Sequence, residues 1–442
     1  MTQHPCAFPT SRSSHAVPSK KWKGRSPLRA IAFCAATILI VSTSASAGRH
    51  HPPLQPPNKG NDMTPALAAP ILTALGIAAL SLSAAAQSYT VTALEPSPGA
   101  EAESVALGID DHGWVSGQSR PDGLAYHLAV VWAGNVHLEL TGSGISGAGA
   151  LAIADGTAVG YSDTLDLNAF AWAEGQLTPL ATDVPCCSLG ADVSRRGWVV
   201  GRAFFGSHGL PRAALWRGGA LTDLGTLGGG TSDAYGVNEA GQVVGSASLP
   251  SGFYHPFLWQ DGAMVDLGTL GGTVGEARDL NEAGHVVGDS SDAGGHTKAF
   301  LHDDNGMHNL GALPGGLFSY AHAINDAGQV VGGSYSGTES GLRGTLWENR
   351  VPTDLNDLIP PNTSWVLGEA KDINELGEIV GTGTFEGRPR GYKLTPAGLR
   401  RLILAPPVPG IAGQTWHFQL WYRDANPGPT SNLTESITLT LR

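Results

Sequence analysis

Seven aromatic and imidazole side chains stand where this chain interrupts its strand-like runs: Tyr126, His127, His208, Tyr254, His255, His296 and Tyr335. On loops held by a rigid scaffold, such residues stack against and hydrogen-bond a protein or carbohydrate ligand. No two of the histidines have the His-x-x-x-His spacing of a metal pair, so no metal site is assigned. Asp163, Asp166, Asp233 and Asp292 offer oxygen ligands that calcium could use, although no run alternates Asp and Asn as a calcium loop does. Cys186 and Cys187 are neighbours and, in an oxidising compartment, could close a vicinal disulfide; a loop pair without a catalytic role is the plainer reading. There is no Gly-x-Ser-x-Gly nucleophile motif, and no repeated carboxylate pair marks a glycosidase. No residue is therefore assigned a catalytic role.

The scaffold that would position these loops is written in the repeat Ala-x-x-[Ile/Val/Leu]-Asn-x-x-Gly-x-[Val/Ile]-Val-Gly. It ends at Gly117, Gly160, Gly201, Gly245, Gly288, Gly332 and Gly381, at intervals of 43, 41, 44, 43, 44 and 49 residues. Within it, Asn238-Glu-Ala-Gly241 has the residues of a type I turn, Asn bonding the local backbone and Gly tolerating the exit conformation. The flanking runs are β-branched, so each copy reads as a hairpin. A second hairpin follows: Pro256-Phe-Leu-Trp259 alternates, turns at Asp261-Gly262 and returns through Met264–Leu267. Its aromatic recurs at Trp132, Trp172, Trp216 and Trp347, with His302 and Leu394 in its place in the fifth and seventh copies. One Trp per repeat on an alternating strand predicts packing between sheets, not sugar stacking.

Four strands in about 43 residues without a helical period predict an all-β, seven-bladed β-propeller spanning residues 87–397. The seventh copy supplies only three strands. Tyr89–Leu94, just before the first copy, is the expected fourth strand and would close the ring, removing free sheet edges. The hairpin turns inside the repeats are short and uniform, whereas the second-to-third strand connections vary. The seven loop residues named above fall on that variable side, where binding is expected. Residues 398–442 change character and read as a small β tail.

Residues 1–86 read as an export region. A basic lead, the apolar run Ala30–Val41 and Ala45-Ser-Ala47 have the layout of a secretory signal, and a second apolar run follows Met63, an alternative start. Removing these residues leaves 18 basic and 37 acidic side chains, a formal net charge of −19. That surface repels nucleic-acid phosphates and anionic lipid. A secreted or cell-envelope monomer with no membrane span after processing is expected.

Ala234–Gly245, His255-Pro-Phe-Leu-Trp259 and Asp266-Leu-Gly-Thr-Leu-Gly-Gly272 together resemble the HAF-type extracellular repeat family of exported bacterial proteins. The resemblance covers residues 89–395 and is strongest from 213 to 335. It implies export and a propeller-like repeat fold, and no known catalytic residues. Ser290-Ser-Asp-Ala-Gly294 resembles the start of the sialidase-type Ser-x-Asp-x-Gly box but lacks the Thr-Trp that follows it. The reading reached is an exported, non-catalytic scaffold that binds a protein or glycan through its variable loops. The alternatives are a secreted hydrolase of glycans or lactones and a structural surface protein.

Overall fold

The computed structural model describes residues 88–97, 102–122, 126–134, 136–140, 147–162, 168–184, 187–206, 209–337 and 341–397, and the backbone of the strands Thr415–Gln419 and Ser436–Thr440. The export region, His208, Cys186, Asp163 and Asp166 lie outside the described residues. Thr415–Gln419 and Ser436–Thr440 pair antiparallel in the segment read as a tail. No helix among the described residues is long and apolar enough to cross a membrane.

Seven four-stranded antiparallel sheets follow one another along the chain, making a seven-bladed β-propeller. The first strand of each blade is innermost. These strands are Glu103–Ile109, Ala148–Ala154, Leu189–Val193, Ser232–Val237, Gly271–Leu280, Ser319–Ile324 and Trp365–Ile373, for blades 1 to 7. Each touches the next, and blade 7 returns to blade 1. The outermost strand of blade 7 is Tyr89–Leu94, which runs antiparallel to Arg388–Pro396 with Tyr89 opposite Pro396 and Leu94 opposite Gly391.

The register follows the sequence pattern. Val115, Ala158, Val199, Val243, Val286, Val330 and Ile379 lie opposite Trp132, Trp172, Trp216, Trp259, His302, Trp347 and Leu394. Trp132, Trp172, Trp216 and Trp347 are buried in the sheet-to-sheet core, as the alternation predicts.

The repeated turn does more than reverse the chain. The side-chain oxygen of Asn238, Asn281, Asn325 or Asn374 accepts the N–H four residues on, at 2.9–3.0 Å. The amide nitrogen of the same side chain then donates across the seam to the next blade. Asn238 reaches the Asn281 carbonyl at 3.2 Å, Asn281 that of Asn325 at 3.2 Å, Asn325 that of Asn374 at 3.2 Å, and Asn374 that of Asp110 at 3.0 Å. The next residue repeats the pattern at the surface. The N–H of Glu239, Glu282 and Glu375 donates to Glu282, Asp326 and Asp111 at 2.9–3.0 Å. Nearer the other end of the blades, a buried serine starting an inner strand accepts an N–H from the preceding blade. Ala213 donates to Ser232 at 2.9 Å, Ala299 to Ser319 at 3.0 Å and Gly391 to Ser104 at 3.0 Å.

Because Asn325 is buried and bonds two blades, Asn325→Ala leaves the Gln329 N–H unpartnered and removes the bond to the Asn374 carbonyl of the next blade. The expected loss is about 1–3 kcal/mol of unfolding free energy, read by urea denaturation; an exposed turn residue such as Asp326 should cost well under that when changed to Ala.

A candidate ligand site in the central channel

Every inner strand carries a one-residue β-bulge at the same place. The register slips between Ala106 and Gly108, Ala150 and Ala152, Gly190 and Asp192, Ala234 and Gly236, Ala277 and Asp279, Ala321 and Ala323, and Ala370 and Asp372. The extra residues are Leu107, Leu151, Ala191, Tyr235, Arg278, His322 and Lys371. A bulge re-aims the side chain it carries. Here all seven bulge residues, with Leu189, line one cavity of about 250 Å³ along the ring axis.

The periodic glycine is the counterpart of the bulge. A Cβ on Gly245 would lie 1.9 Å from the Asp233 carbonyl oxygen, and one on Gly288 2.0 Å from that of Glu276. Only a glycine lets the second strand approach the bulged backbone that closely.

The cavity has two halves. Blades 1 to 3 contribute Leu107, Leu151, Leu189 and Ala191, and blades 4 to 7 contribute Tyr235, Arg278, His322 and Lys371. Arg278 is held by two carboxylates: its Nη2 is 2.8 Å from Glu276 and its Nε 3.2 Å from Asp289. Its guanidinium lies 5.6 Å from the Tyr235 ring centre. Burial would lower the Arg278 pKa, but Asp289 and Glu276 outweigh it and keep the group charged. Burial also pushes the Tyr235 hydroxyl up to about 12, so it stays protonated.

Across the channel, Glu369 bridges two blades. One carboxylate oxygen accepts from His322 Nε2 and the other from Lys371 Nζ. Burial would raise the Glu369 carboxyl, yet these two partners hold it down at about 2. Burial lowers the His322 pKa against the pull of Glu369, so the ring is neutral at pH 7 and donates its Nε2 proton to the carboxylate. The cluster therefore presents a neutral, oriented imidazole between two fixed cations. A guanidinium carries five N–H groups and an ammonium three. The bonds above use two of the former and one of the latter, leaving donors for a ligand oxygen.

The residue after each bulge points to the neighbouring blade. In blades 3, 5 and 7 it is an aspartate that accepts the N–H of the following blade: Val237 to Asp192 at 2.9 Å, Ile324 to Asp279 at 2.8 Å and Ile109 to Asp372 at 2.7 Å. In the other blades it is small, namely Gly108, Ala152, Gly236 and Ala323. Burial is the main cause that raises Asp192 to about 6, Asp372 to about 7 and Asp279 well above the usual carboxylate range; Glu239 adds to it at Asp192, Asp192 and Asp111 at Asp372, and Asp192 and Asp372 at Asp279.

Among the described residues, the loop residues expected from the sequence fall on different blades. Tyr126 and His127 belong to blade 1. Tyr254 bonds Thr231 at 2.6 Å, and His255 bonds Asp266 at 3.0 Å within blade 4. Among the described residues of different blades, His296 and Tyr335 meet through Phe318, whose ring centre is 5.7 Å from one and 6.3 Å from the other. Of the calcium candidates, Asp233 pairs with Arg202 at 3.3 Å and Asp292 caps its own turn by accepting the N–H of Gly294 at 2.8 Å and of His296 at 2.9 Å. Ser290 is buried and accepts the Leu270 N–H at 3.0 Å, so its box is a structural stitch. Cys187 precedes the inner strand of blade 3 with a positive φ of 70°. The titratable side chains that do meet are Tyr235, Arg278, His322 and Lys371, which the bulge position of the repeat brings to one cavity.

No protein-family model matches the chain, and no curated protein matches it. Among solved structures it is similar to the β-propeller domain of the Trilobed protease from Pyrococcus furiosus, at 10% identity and a TM-score of 0.46, covering 66% of this chain and 95% of that one. It is also similar to a puromycin-hydrolyzing peptidase from Mycobacterium tuberculosis, at 16% identity and a TM-score of 0.43, covering 75% of this chain and 56% of that one. A third is TolB from Acinetobacter baumannii, at 15% identity and a TM-score of 0.38, covering 70% of this chain and 80% of that one.

The three aspartates fix a pH dependence. Their folded pKa values lie above the unfolded value near 4, so the folded state keeps protons that the unfolded chain has released. Stability should fall as pH rises from about 4 to about 7, by at least about 1 kcal/mol per carboxyl. Urea midpoints at pH 5 should exceed those at pH 8, and Asp372→Asn should reduce the difference.

Proposed function

We propose that this protein is an exported propeller, of the extracellular-repeat type that its sequence resembles, that binds a small organic ligand in its central channel. The observation that carries this reading is the set of bulges. One residue from each of the seven blades is turned onto the axis, Leu107, Leu151 and Ala191 on one side and Tyr235, Arg278, His322 and Lys371 on the other. A purely structural ring has no need to hold Arg278 and Lys371 inside its channel, each tied to a carboxylate.

The ligand that fits is uncharged, with a hydrogen-bond-accepting end and an apolar end. The two cations face three carboxylates, Glu276, Asp289 and Glu369, so the cluster does not attract a strongly anionic molecule. The leucine side would take alkyl or ring surface, at roughly 25 cal/mol per Å² buried.

A second reading is docking of a glycan or protein on the variable loop face. It is favoured by the edge-to-face series His296, Phe318 and Tyr335, the last two exposed at 37% and 40%. The two readings separate by mutation. Leu151→Trp fills the apolar half of the channel without touching an ion pair; it should abolish ligand-induced thermal stabilisation by small lactones and esters. Phe318→Ala should leave that stabilisation unchanged and weaken only retention on immobilised polysaccharide. Stabilisation that survives Leu151→Trp would count against the channel.

A further inference from the structure

We infer that the channel hydrolyses esters or lactones, with His322 as the general base, Glu369 as the residue that positions it, and Arg278 and Lys371 as donors to the oxyanion. This inference rests on the channel being the ligand site and names the chemistry performed there.

The geometry carries it in three steps. First, His322 and Glu369 come from adjacent blades and are joined through Nε2 and one carboxylate oxygen. A hydrogen bond at one ring nitrogen fixes the tautomer and leaves Nδ1 as the basic atom. That is the base-plus-orienter arrangement of general-base catalysis. Second, Arg278 and Lys371 line the same cavity as His322. Each is fixed by a carboxylate on one side, Arg278 by Glu276 and Asp289 and Lys371 by Glu369, and each has N–H groups left over. Preorganised donors of this kind stabilise the negative oxygen of a tetrahedral intermediate. Third, the pairing argues against glycosides. Cleaving a glycosidic bond needs a protonated carboxyl at the leaving oxygen, but Glu276, Asp289 and Glu369 are all engaged with cations. An acyl carbonyl needs no such acid, because the imidazolium formed in the first step supplies the proton in the second.

The reaction balances as a hydrolysis. Nδ1 of His322 takes a proton from water as its oxygen bonds the acyl carbon, and the carbonyl oxygen becomes an oxyanion facing Arg278 and Lys371. The acyl C–O bond then breaks, the oxyanion collapses to a carbonyl, and the leaving alkoxide takes the proton from Nδ1. A lactone opens to its hydroxy acid; an ester gives an acid and an alcohol. The product acid ionises, and its charge beside Glu369 and Asp289 favours release. The apolar half, Leu107, Leu151 and Leu189, would seat the acyl chain or ring.

The charged groups that face His322 are Glu369 and Lys371 on blade 7 and Arg278 on blade 5. Losing the Glu369 charge removes the interaction that raises the imidazole pKa, so Glu369→Gln should move the acid limb of the rate profile to lower pH as well as reduce kcat. A merely structural role for Glu369 would leave the position of that limb unchanged.

The test uses the full chain with γ-nonalactone and p-nitrophenyl butyrate, reading turnover and thermal stabilisation together. The expected result is turnover that falls about 100-fold or more in His322→Ala, with the melting temperature near that of the parent; His322→Gln serves if the alanine variant does not fold. Undiminished turnover in the folded His322 variant would overturn the assignment. Stabilisation by these compounds that is lost in Leu151→Trp, with turnover at background, would overturn hydrolysis and leave the ligand-binding channel standing. Neither stabilisation nor turnover would overturn both.

Discussion

The structure depends on a hydrogen bond that blades 4, 5, 6 and 7 each make to the next. A propeller blade has a good internal ladder, but its contact with its neighbour is a packing of side chains, which is non-directional. The buried asparagine amide supplies direction. Its oxygen closes its own turn and its nitrogen holds the next blade's turn at a fixed distance, from Asn238 through Asn281, Asn325 and Asn374 to Asp110. A buried amide with both ends satisfied is stabilising, and one left half satisfied is costly. Slippage between blades is therefore penalised at several seams around one end of the ring.

Blade 7 is joined to blade 1 by the chain that runs on from Tyr89–Leu94 to Glu103–Ile109, and the side-chain ties across that seam are dense. Asp372 accepts the Ile109 N–H, Asn374 donates to Asp110, and Ser104 accepts the Gly391 N–H. Lys393 adds an ion pair to the buried Glu378 at 3.0 Å and a hydrogen bond to the Gly113 carbonyl at 3.0 Å. Together with the pairing of Tyr89–Leu94 to Arg388–Pro396, these hold the ends of the ring. The fixed ring in turn fixes the channel, since the position of each bulge residue is set by its blade.

The bulge links the scaffold to its chemistry. A regular inner strand would alternate its side chains between the two sheet faces. One extra residue turns a side chain onto the axis and lets the next one reach the neighbouring blade. The first slot is free to vary, because it meets only the channel, and it holds Leu, Leu, Ala, Tyr, Arg, His and Lys around the ring. The second must either bridge the seam, as Asp192, Asp279 and Asp372 do, or be small enough to pass. A Cβ on Gly236 would already lie 3.1 Å from the Cα of Asp279.

The sequence by itself determined the fold. Its 43-residue period, its Asn-x-x-Gly turns and its one aromatic per unit are local signals, and local signals specify turns, strand alternation and the number of blades. Those signals also included the glycine at the end of every repeat, which is the mark of the bulge opposite it, although nothing local says which strand approaches that glycine. The site was not legible. Tyr235, Arg278, His322 and Lys371 are separated by more than forty residues each and sit in slots of the repeat that look like surface filler when read along the chain. His322 and Glu369, 47 residues apart, become partners only because the ring sets blade 6 beside blade 7. The loop histidines drew notice because they interrupt strands, yet the ring holds most of them apart. Convergence on an axis is a property of closure, and only the tertiary structure could supply it.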